Sequence, residues 1–148
     1  MPGASLTAEL AMWKGTHKTV IEVRGNRQGI FSLGVLPLWL SDGSPYTDSL
    51  SITGLPFVRF KSSLSLTVVL TMEGSDKYGK LIRTDKDKQF QWLMKNEVLE
   101  KQAVSLLSIP FTPNGYCGDH LHGNVGPDSE YELFFARNDH RREFFPAG

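Results

Sequence analysis

The side chains best suited to chemistry lie in one late segment of this 148-residue chain. Asp119, His120 and His122 include two histidines at the spacing that puts both imidazoles on one face of a strand, as metal sites can require. Cys117 and Asp128 are close enough in sequence to add ligands, and Cys117 beside either histidine could form a nucleophile–base pair. The surrounding sequence is rich in glycine, however, and has no strand period, no HExxH or paired CxxC motif and no phosphate-binding glycine loop. We therefore predict a polar loop here, with no catalytic residue, metal ion or cofactor.

Basic residues form a second set of candidates, this time for binding. Lysines and arginines recur through a predicted strand and helix start near the middle of the chain, and two arginines lie in and just after an earlier strand. Such side chains can contact RNA phosphates or anionic lipid headgroups, although acidic neighbours would also suit an ordinary solvated face. The candidates are Arg24, Arg27, Lys77, Lys80, Arg83, Lys86 and Lys88.

Composition is typical of an ordinary globular chain. With 40% hydrophobic residues, 22% charged residues and no net charge, we expect one domain over residues 1–148, whose end, 137–148, is a docked or flexible tail. A lone cysteine excludes an intrachain disulfide and suits a reducing compartment. The sequence shows neither a secretory signal pattern nor an apolar run of about 18 residues. We expect an intracellular protein, cytoplasmic or nuclear, that meets a membrane only at its surface.

Strand patterns dominate the first three-fifths of the chain. Apolar side chains alternate from Leu6 to Met12, and a β-branched run follows at 18–24. The clearest core strand runs from Leu64 to Met72, with its apolar side chains on one face. Further short strands are predicted at 50–52, 57–60, 78–83 and 131–136.

One long amphipathic helix is predicted after the middle of the chain. Thr84 is a suitable N-cap, and apolar residues recur at three- and four-residue spacing to about Leu107. A loop rich in glycine and proline should follow over 112–128. About seven strands and one long helix indicate a mainly β or α+β fold, an antiparallel β-sandwich or curled sheet with the helix packed on it.

The apolar run 29–40 is the most distinctive stretch of the sequence. It is too short to cross a bilayer, and Pro37 cannot donate a hydrogen bond to a sheet, so we predict a strand at a sheet edge. An apolar edge needs a cover, which could be a helix, a second subunit or a membrane. We favour a subunit contact and predict that Leu36, Leu38 and Trp39 lie at an oligomer interface.

The same run carries a resemblance to a known family. Segment 35–40, VLPLWL, resembles the apolar (I/L)P(I/L)W-like segment of matrix proteins of negative-strand RNA viruses. The small, single-domain matrix proteins of the bornavirus type are similar in length and in the order of strands and helix, over residues 6–107. The resemblance implies a non-enzymatic β-sandwich protein of the virion. It would assemble as dimers or tetramers, lie on an anionic membrane through basic residues, and bind RNA or nucleoprotein.

Two other hypotheses remain open on the sequence. One is a small β-barrel module that binds single-stranded nucleic acid or a protein partner. The other is a hydrolase or metal enzyme that uses Cys117, His120 and His122. Our first hypothesis is the self-assembling structural protein.

Overall fold

The computed structural model of the protein describes residues 3–13, 19–41, 49–60, 64–71, 80–84, 88–111, 118–120, 131–139 and 144–146. These residues form ten strands, two α-helices and one short 3-10 helix. In chain order they are β1 (Leu6–Trp13), β2 (Thr19–Gly25), α1 (Arg27–Ser41), β3 (Ser49–Ser51), β4 (Val58–Phe60), β5 (Ser65–Leu70), β6 (Lys80–Arg83), β7 (Gln89–Met94), α2 (Asn96–Ser108), the 3-10 helix (Ile109–Phe111), β8 (Gly118–His120), β9 (Tyr131–Arg137) and β10 (Phe144–Pro146).

The strands belong to two mixed sheets. The first sheet has the order β10-β1-β2-β9-β8, with β4 also paired to β1, and the second has the order β3-β5-β7-β6. Parallel pairs, β1 with β4, β2 with β9 and β5 with β7, occur beside antiparallel ones. The α+β prediction is confirmed, but the predicted antiparallel arrangement is wrong, because strands that are not consecutive in sequence pair in parallel within each sheet.

Both sheets contribute to one large apolar core. On β7 the buried side chains are Phe90, Trp92 and Met94, which alternate with more exposed neighbours. The ring of Trp92 stacks on Phe135 of β9, with centroids 6.0 Å apart and planes at 24°. This contact joins the second sheet to the first. The predicted core strand is confirmed in β5, where Leu66 and Val68 enter the same cluster.

The apolar run 29–40 lies inside α1, so the predicted edge strand is wrong. A run this long without polar interruption fits a helix as well as a strand, and its length favours the helix. Asn26 starts the helix, because its side-chain oxygen accepts hydrogen bonds from the backbone N–H of Gly29, at 2.8 Å, and of Ser5, at 3.1 Å. The cap thereby ties the helix start to the beginning of β1.

Burial explains how α1 keeps a proline in its interior. Pro37 removes one hydrogen bond from the helical ladder and normally costs a few kcal/mol there. Ile30 and Leu33 on the same helix are completely buried in the core. Packing of this kind, rather than local preference, supplies most helix stability in proteins.

The predicted long helix divides into a strand and a shorter helix. Its first part, 89–94, is β7, which lies between β5 and β6, and α2 starts at Asn96. The apolar residues Phe90, Trp92 and Met94 also fit the two-residue period of a strand. Pairing with two neighbouring strands makes this segment a strand. The second part is confirmed, since α2 buries Leu99 and Ala103.

Two short strands lie in the late segments. The predicted loop over 112–128 contains β8, which pairs with β9 in antiparallel register. In the tail, β10 pairs with the last residues of β1. Both strands extend the first sheet at its two sides.

Candidate functional site

The two helices pack against each other in antiparallel directions. A Cβ added at Gly34 of α1 would lie 2.8 Å from the side chain of Leu107 in α2, so only glycine allows this approach. Three residues earlier, Phe31 meets Phe111 edge to face, with ring centroids 6.5 Å apart. As the chain advances along α1, its contacts move backward along α2, which establishes the direction.

One stripe of α1 faces away from the core. Arg27 and Phe31 are exposed, and Val35 and Leu38 are partly exposed, at spacings of four, four and three residues that keep them on one side of the helix. Phe31 retains 43% of its accessible surface. A helix that is apolar on nearly all sides is usually buried all round, but this one is not.

The neighbouring stripe of α2 combines exposed acidic residues with exposed apolar ones. Glu97, Glu100 and Val104 are exposed and follow one another at three- and four-residue spacing. Val104 retains 62% of its accessible surface, and Phe111, just beyond the helix, retains 78%. The apolar residues therefore lie at one end of this stripe and the acidic residues at the other.

Together the two stripes form one surface, which we call the helical face. Its centre is apolar, one end is basic and the other end is acidic. The antiparallel packing sets this order, because Arg27 lies near the Phe111 end while Glu97 and Glu100 lie at the opposite end. At 1.5 Å per residue, about 20 Å along the helix axes separates the two ends. The face consists of Arg27, Phe31, Val35, Leu38, Glu97, Glu100, Val104 and Phe111.

Because the run 29–40 is a helix and not the predicted strand, the predicted interface residues lie on different sides of it. In a strand, Leu36 and Leu38 would share a face, but two residues on a helix differ by about 200°. Only Leu38 lies in the exposed stripe with Phe31, and Leu36 is partly exposed on another side. Trp39 lies in the last turns of α1, one turn after Val35. The assignment of all three to an oligomer interface stays a prediction.

Two of the predicted basic residues lie on the edge strand of the second sheet, and a third lies just before the next strand. Lys80 and Arg83 belong to its edge strand, β6, and Arg83 is exposed opposite Phe90 of β7. Lys88 lies in the connection back to β7, with a positive φ of 61°. We call Lys80, Arg83 and Lys88 the basic edge. Lys77 and Lys86 lie outside the described residues.

Arg24 and Arg27 lie in different surroundings from the basic edge. Arg24, on β2, is mostly buried, contacts the buried carboxylate of Glu22 at 3.3 Å and donates a hydrogen bond to the backbone carbonyl of Arg137 at 3.1 Å. These contacts give it a role inside the fold. Arg27, in contrast, is exposed at the start of α1.

Most of the sequence candidates for metal or nucleophile chemistry lie outside the described residues. Cys117, His122 and Asp128 fall outside the described residues, and Asp119 and His120 belong to β8. Within the described ranges, no group of three or more histidine, cysteine or acidic side chains could hold a metal ion.

The sequence did not identify the exposed apolar members of the helical face. Phe31 lies in the predicted edge strand, Val104 lies in the predicted helix, and Phe111 follows the predicted helix end near Leu107. The available signal was a valine in the middle of the solvated side of that helix, followed by an aromatic residue seven positions later. Isolated exposed apolar residues are common, but two helices that place theirs side by side are not.

No protein-family model matches the chain, and no curated protein is significantly similar to it. Among the described residues, neither helix is both long enough and apolar enough to cross a bilayer.

Proposed function

We propose that this chain is a non-enzymatic structural protein that self-assembles through the helical face. The observation that carries the proposal is the exposed apolar centre of that face. Phe31, Val104 and Phe111 lie on adjacent helical elements, and two of them are in contact. Exposed apolar surface that two packed helices form together is typical of protein–protein interfaces rather than of a surface that faces only solvent.

The local structure around Phe111 supports a contact rather than accidental exposure. Phe111 directly follows Ile109 and Pro110, whose carbonyls accept hydrogen bonds from the buried guanidinium of Arg137. A preorganised aromatic side chain loses little conformational entropy on binding, so it makes a strong anchor. The hydrogen bonds from Arg137 therefore hold the backbone that precedes this ring in place.

The fold also agrees with a matrix-like protein better than with a barrel. The described strands divide into two sheets that share one core, which supports a β-sandwich, and these strands do not close into a single ring. The β-barrel module is therefore the weaker alternative. The resemblance of segment 35–40 to viral matrix proteins adds a role in a virion or at a membrane as part of the proposal.

Replacing both exposed phenylalanines by serine should shift the assembly toward monomer. In the Phe31→Ser, Phe111→Ser variant, the centre of the helical face loses two aromatic anchors, each worth about 1–3 kcal/mol at an interface. Self-association should weaken about 30-fold or more. Size-exclusion chromatography with light scattering over a dilution series measures the change.

Phe60→Ser is the matched control for this experiment. Phe60 retains 50% of its accessible surface but belongs to β4 in the first sheet, away from the helices. The control should keep the oligomer of the unaltered chain. If the double variant keeps it as well, or if the unaltered chain is a monomer at every concentration, the proposed function is wrong.

We further propose that the basic edge meets an anionic lipid surface. Lys80 and Arg83 lie on an edge strand, where charged side chains also prevent unwanted strand pairing. Lys88 follows in the same hairpin, because Thr84 donates its backbone N–H to the carbonyl of Gln89 at 2.9 Å. Clustered basic residues near a membrane each contribute about 1 kcal/mol with anionic lipid.

Charge reversal at the basic edge should abolish most lipid binding. The Lys80→Glu, Arg83→Glu variant replaces attraction by repulsion and should reduce flotation with phosphatidylserine vesicles about tenfold or more. Arg59→Glu is the control, since Arg59 is exposed on β4 of the other sheet. Equal binding to vesicles of phosphatidylcholine alone would contradict an electrostatic contact. Binding of RNA instead, lost in the same variant, would redirect the proposal to nucleic acid.

A further inference from the structure

The second sheet has a side that faces away from the core. Buried side chains on β5 and β7 alternate with partly exposed ones, and the partly exposed positions form rows across the sheet. The strand register gives one row in the order Ser49, Val69, Leu93 and Lys80. Two aliphatic residues are therefore neighbours in this row, between a serine and a cation.

The adjacent row across the same strands has the order Ser51, Thr67, Gln91 and Ile82. Ile82 is partly exposed and lies diagonally from Leu93, at about 7–8 Å, where long side chains still reach each other. With Val69, these two residues make a contiguous aliphatic group beside the basic edge. We call the two rows together the outer sheet face.

The charges of the second sheet indicate what the outer sheet face can bind. β3, β5, β6 and β7 contain no acidic residue, and their only charged residues are Lys80 and Arg83. We propose that the outer sheet face lies flat on an anionic lipid surface, with Val69, Ile82 and Leu93 at the headgroup boundary. This inference rests on the proposed lipid contact of the basic edge and adds to it the apolar surface that enters the interface.

A second copy of the chain fits the outer sheet face less well than lipid does. A two-fold contact needs a patch that is complementary to itself, and strands that carry cations without anions are not. The helical face differs, because Glu97 and Glu100 are exposed on it and would be repelled by anionic lipid. The two surfaces therefore suit different partners, protein for the helical face and lipid for the outer sheet face.

Single-stranded RNA is also anionic, but it requires a different surface. Proteins that bind it present aromatic side chains on which the bases stack. The two rows of the outer sheet face contain no aromatic residue, and Phe90 and Trp92 of the same sheet are buried in the core. Aliphatic side chains bordered by cations are instead the combination that holds a protein at a lipid interface.

A fluorescent label at the centre of the outer sheet face tests this arrangement. In the Thr67→Cys, Cys117→Ser variant, an environment-sensitive fluorophore is attached at position 67. Phosphatidylserine vesicles should shift its emission to shorter wavelength and raise it about twofold or more, because the label leaves water for the lipid interface. Arg59→Cys in the same background is the control, since Arg59 is exposed on β4 of the other sheet and its label should stay in water.

The Ile82→Thr, Leu93→Thr variant tests the aliphatic contribution by itself. Threonine suits a strand as well as isoleucine does, so the fold should persist, which circular dichroism checks. Vesicle binding should weaken about threefold or more and lose the part that resists high salt, because salt screens only the electrostatic attraction. Val104→Thr on the helical face should bind vesicles like the unaltered chain.

The outcomes separate this inference from the proposed lipid contact. If charge reversal at the basic edge removes vesicle binding, but the label at position 67 stays in water and the threonine variant binds as before, only the edge meets lipid and this inference is wrong. If the unaltered chain binds no phosphatidylserine vesicles, both proposals are wrong. If the label responds to single-stranded RNA and not to vesicles, the occupant is nucleic acid and the inference is wrong.

Discussion

Trp92→Ala should destabilise the protein more than any other single substitution considered for this chain. Trp92 retains 2% of its accessible surface and stacks on Phe135 across the two sheets. Truncation of a buried tryptophan removes its transfer free energy and leaves a cavity, at a cost of about 3–5 kcal/mol. We expect the free energy of unfolding to fall by that amount in urea titrations followed by circular dichroism.

Leu93→Ala is the control for the cavity interpretation. Leu93 is the next residue on β7, but it lies on the opposite face of the sheet and is only partly buried. Its truncation should cost about 1 kcal/mol, which is less than half of the effect expected at Trp92. Both measurements need one fixed protein concentration, because self-association would add to the apparent stability. Equal losses at the two positions would contradict a core centred on the Trp92–Phe135 contact.

Arg137→Ala should affect both stability and self-association. Arg137 is almost completely buried at the end of β9, and its guanidinium donates hydrogen bonds to the carbonyls of Ile109, at 3.4 Å, and Pro110, at 2.9 Å. It also forms a two-point contact with the carboxylate of Asp139, at 2.9 and 2.8 Å. Loss of the cation leaves two buried carbonyls without this donor, which costs about 2–4 kcal/mol in total.

The link to self-association follows from the position of the two carbonyls. They directly precede Phe111, so Arg137 fixes the base of one anchor of the helical face to the first sheet. We expect the Arg137→Ala oligomer to dissociate at higher protein concentration than that of the unaltered chain, measured by light scattering. Arg137→Lys should recover little, because an ammonium group cannot reproduce the fork of donors that reaches both carbonyls and Asp139.

Asp139→Asn provides the contrast within the same network. The side chain of Asp139 is 44% exposed, so water screens its ion pair with Arg137. Its substitution should cost well under half as much as that of Arg137 and should leave self-association intact. A larger effect at Asp139 than at Arg137 would show that the ion pair, rather than the contact with the carbonyls, is the stabilising element.

Local patterns predicted the strands that have one clear face. β1 alternates apolar and polar side chains over 6–10 and β5 over 65–68, and both strands lie where the alternation indicated. The helix at 96–108 was also predictable in its second half, since buried Leu99, Ala103 and Leu106 follow the helical period. Each of these elements has a single burial pattern that one periodicity describes.

Two elements were mispredicted because their patterns fit more than one structure. The run 29–40 has too few polar residues to show a period, and Pro37 alone does not exclude a helix. Segment 89–94 fits both a two-residue and a helical period, and the neighbouring strands β5 and β6 make it a strand. In both cases the decision depends on partners that are distant in sequence.

The sequence by itself limited the fold to a mainly β or α+β class and located the main core strands and the strand that carries Lys80 and Arg83, because these follow from composition and from short-range periodicity. Only the tertiary structure decided that the apolar run is a helix and that Leu36 and Leu38 face different sides. It alone also brought Phe31 beside Phe111 and placed Arg27 at the far end from Glu97. The physical reason is that helix–helix packing at Gly34 sets the direction of one helix on the other, and no local pattern contains that information.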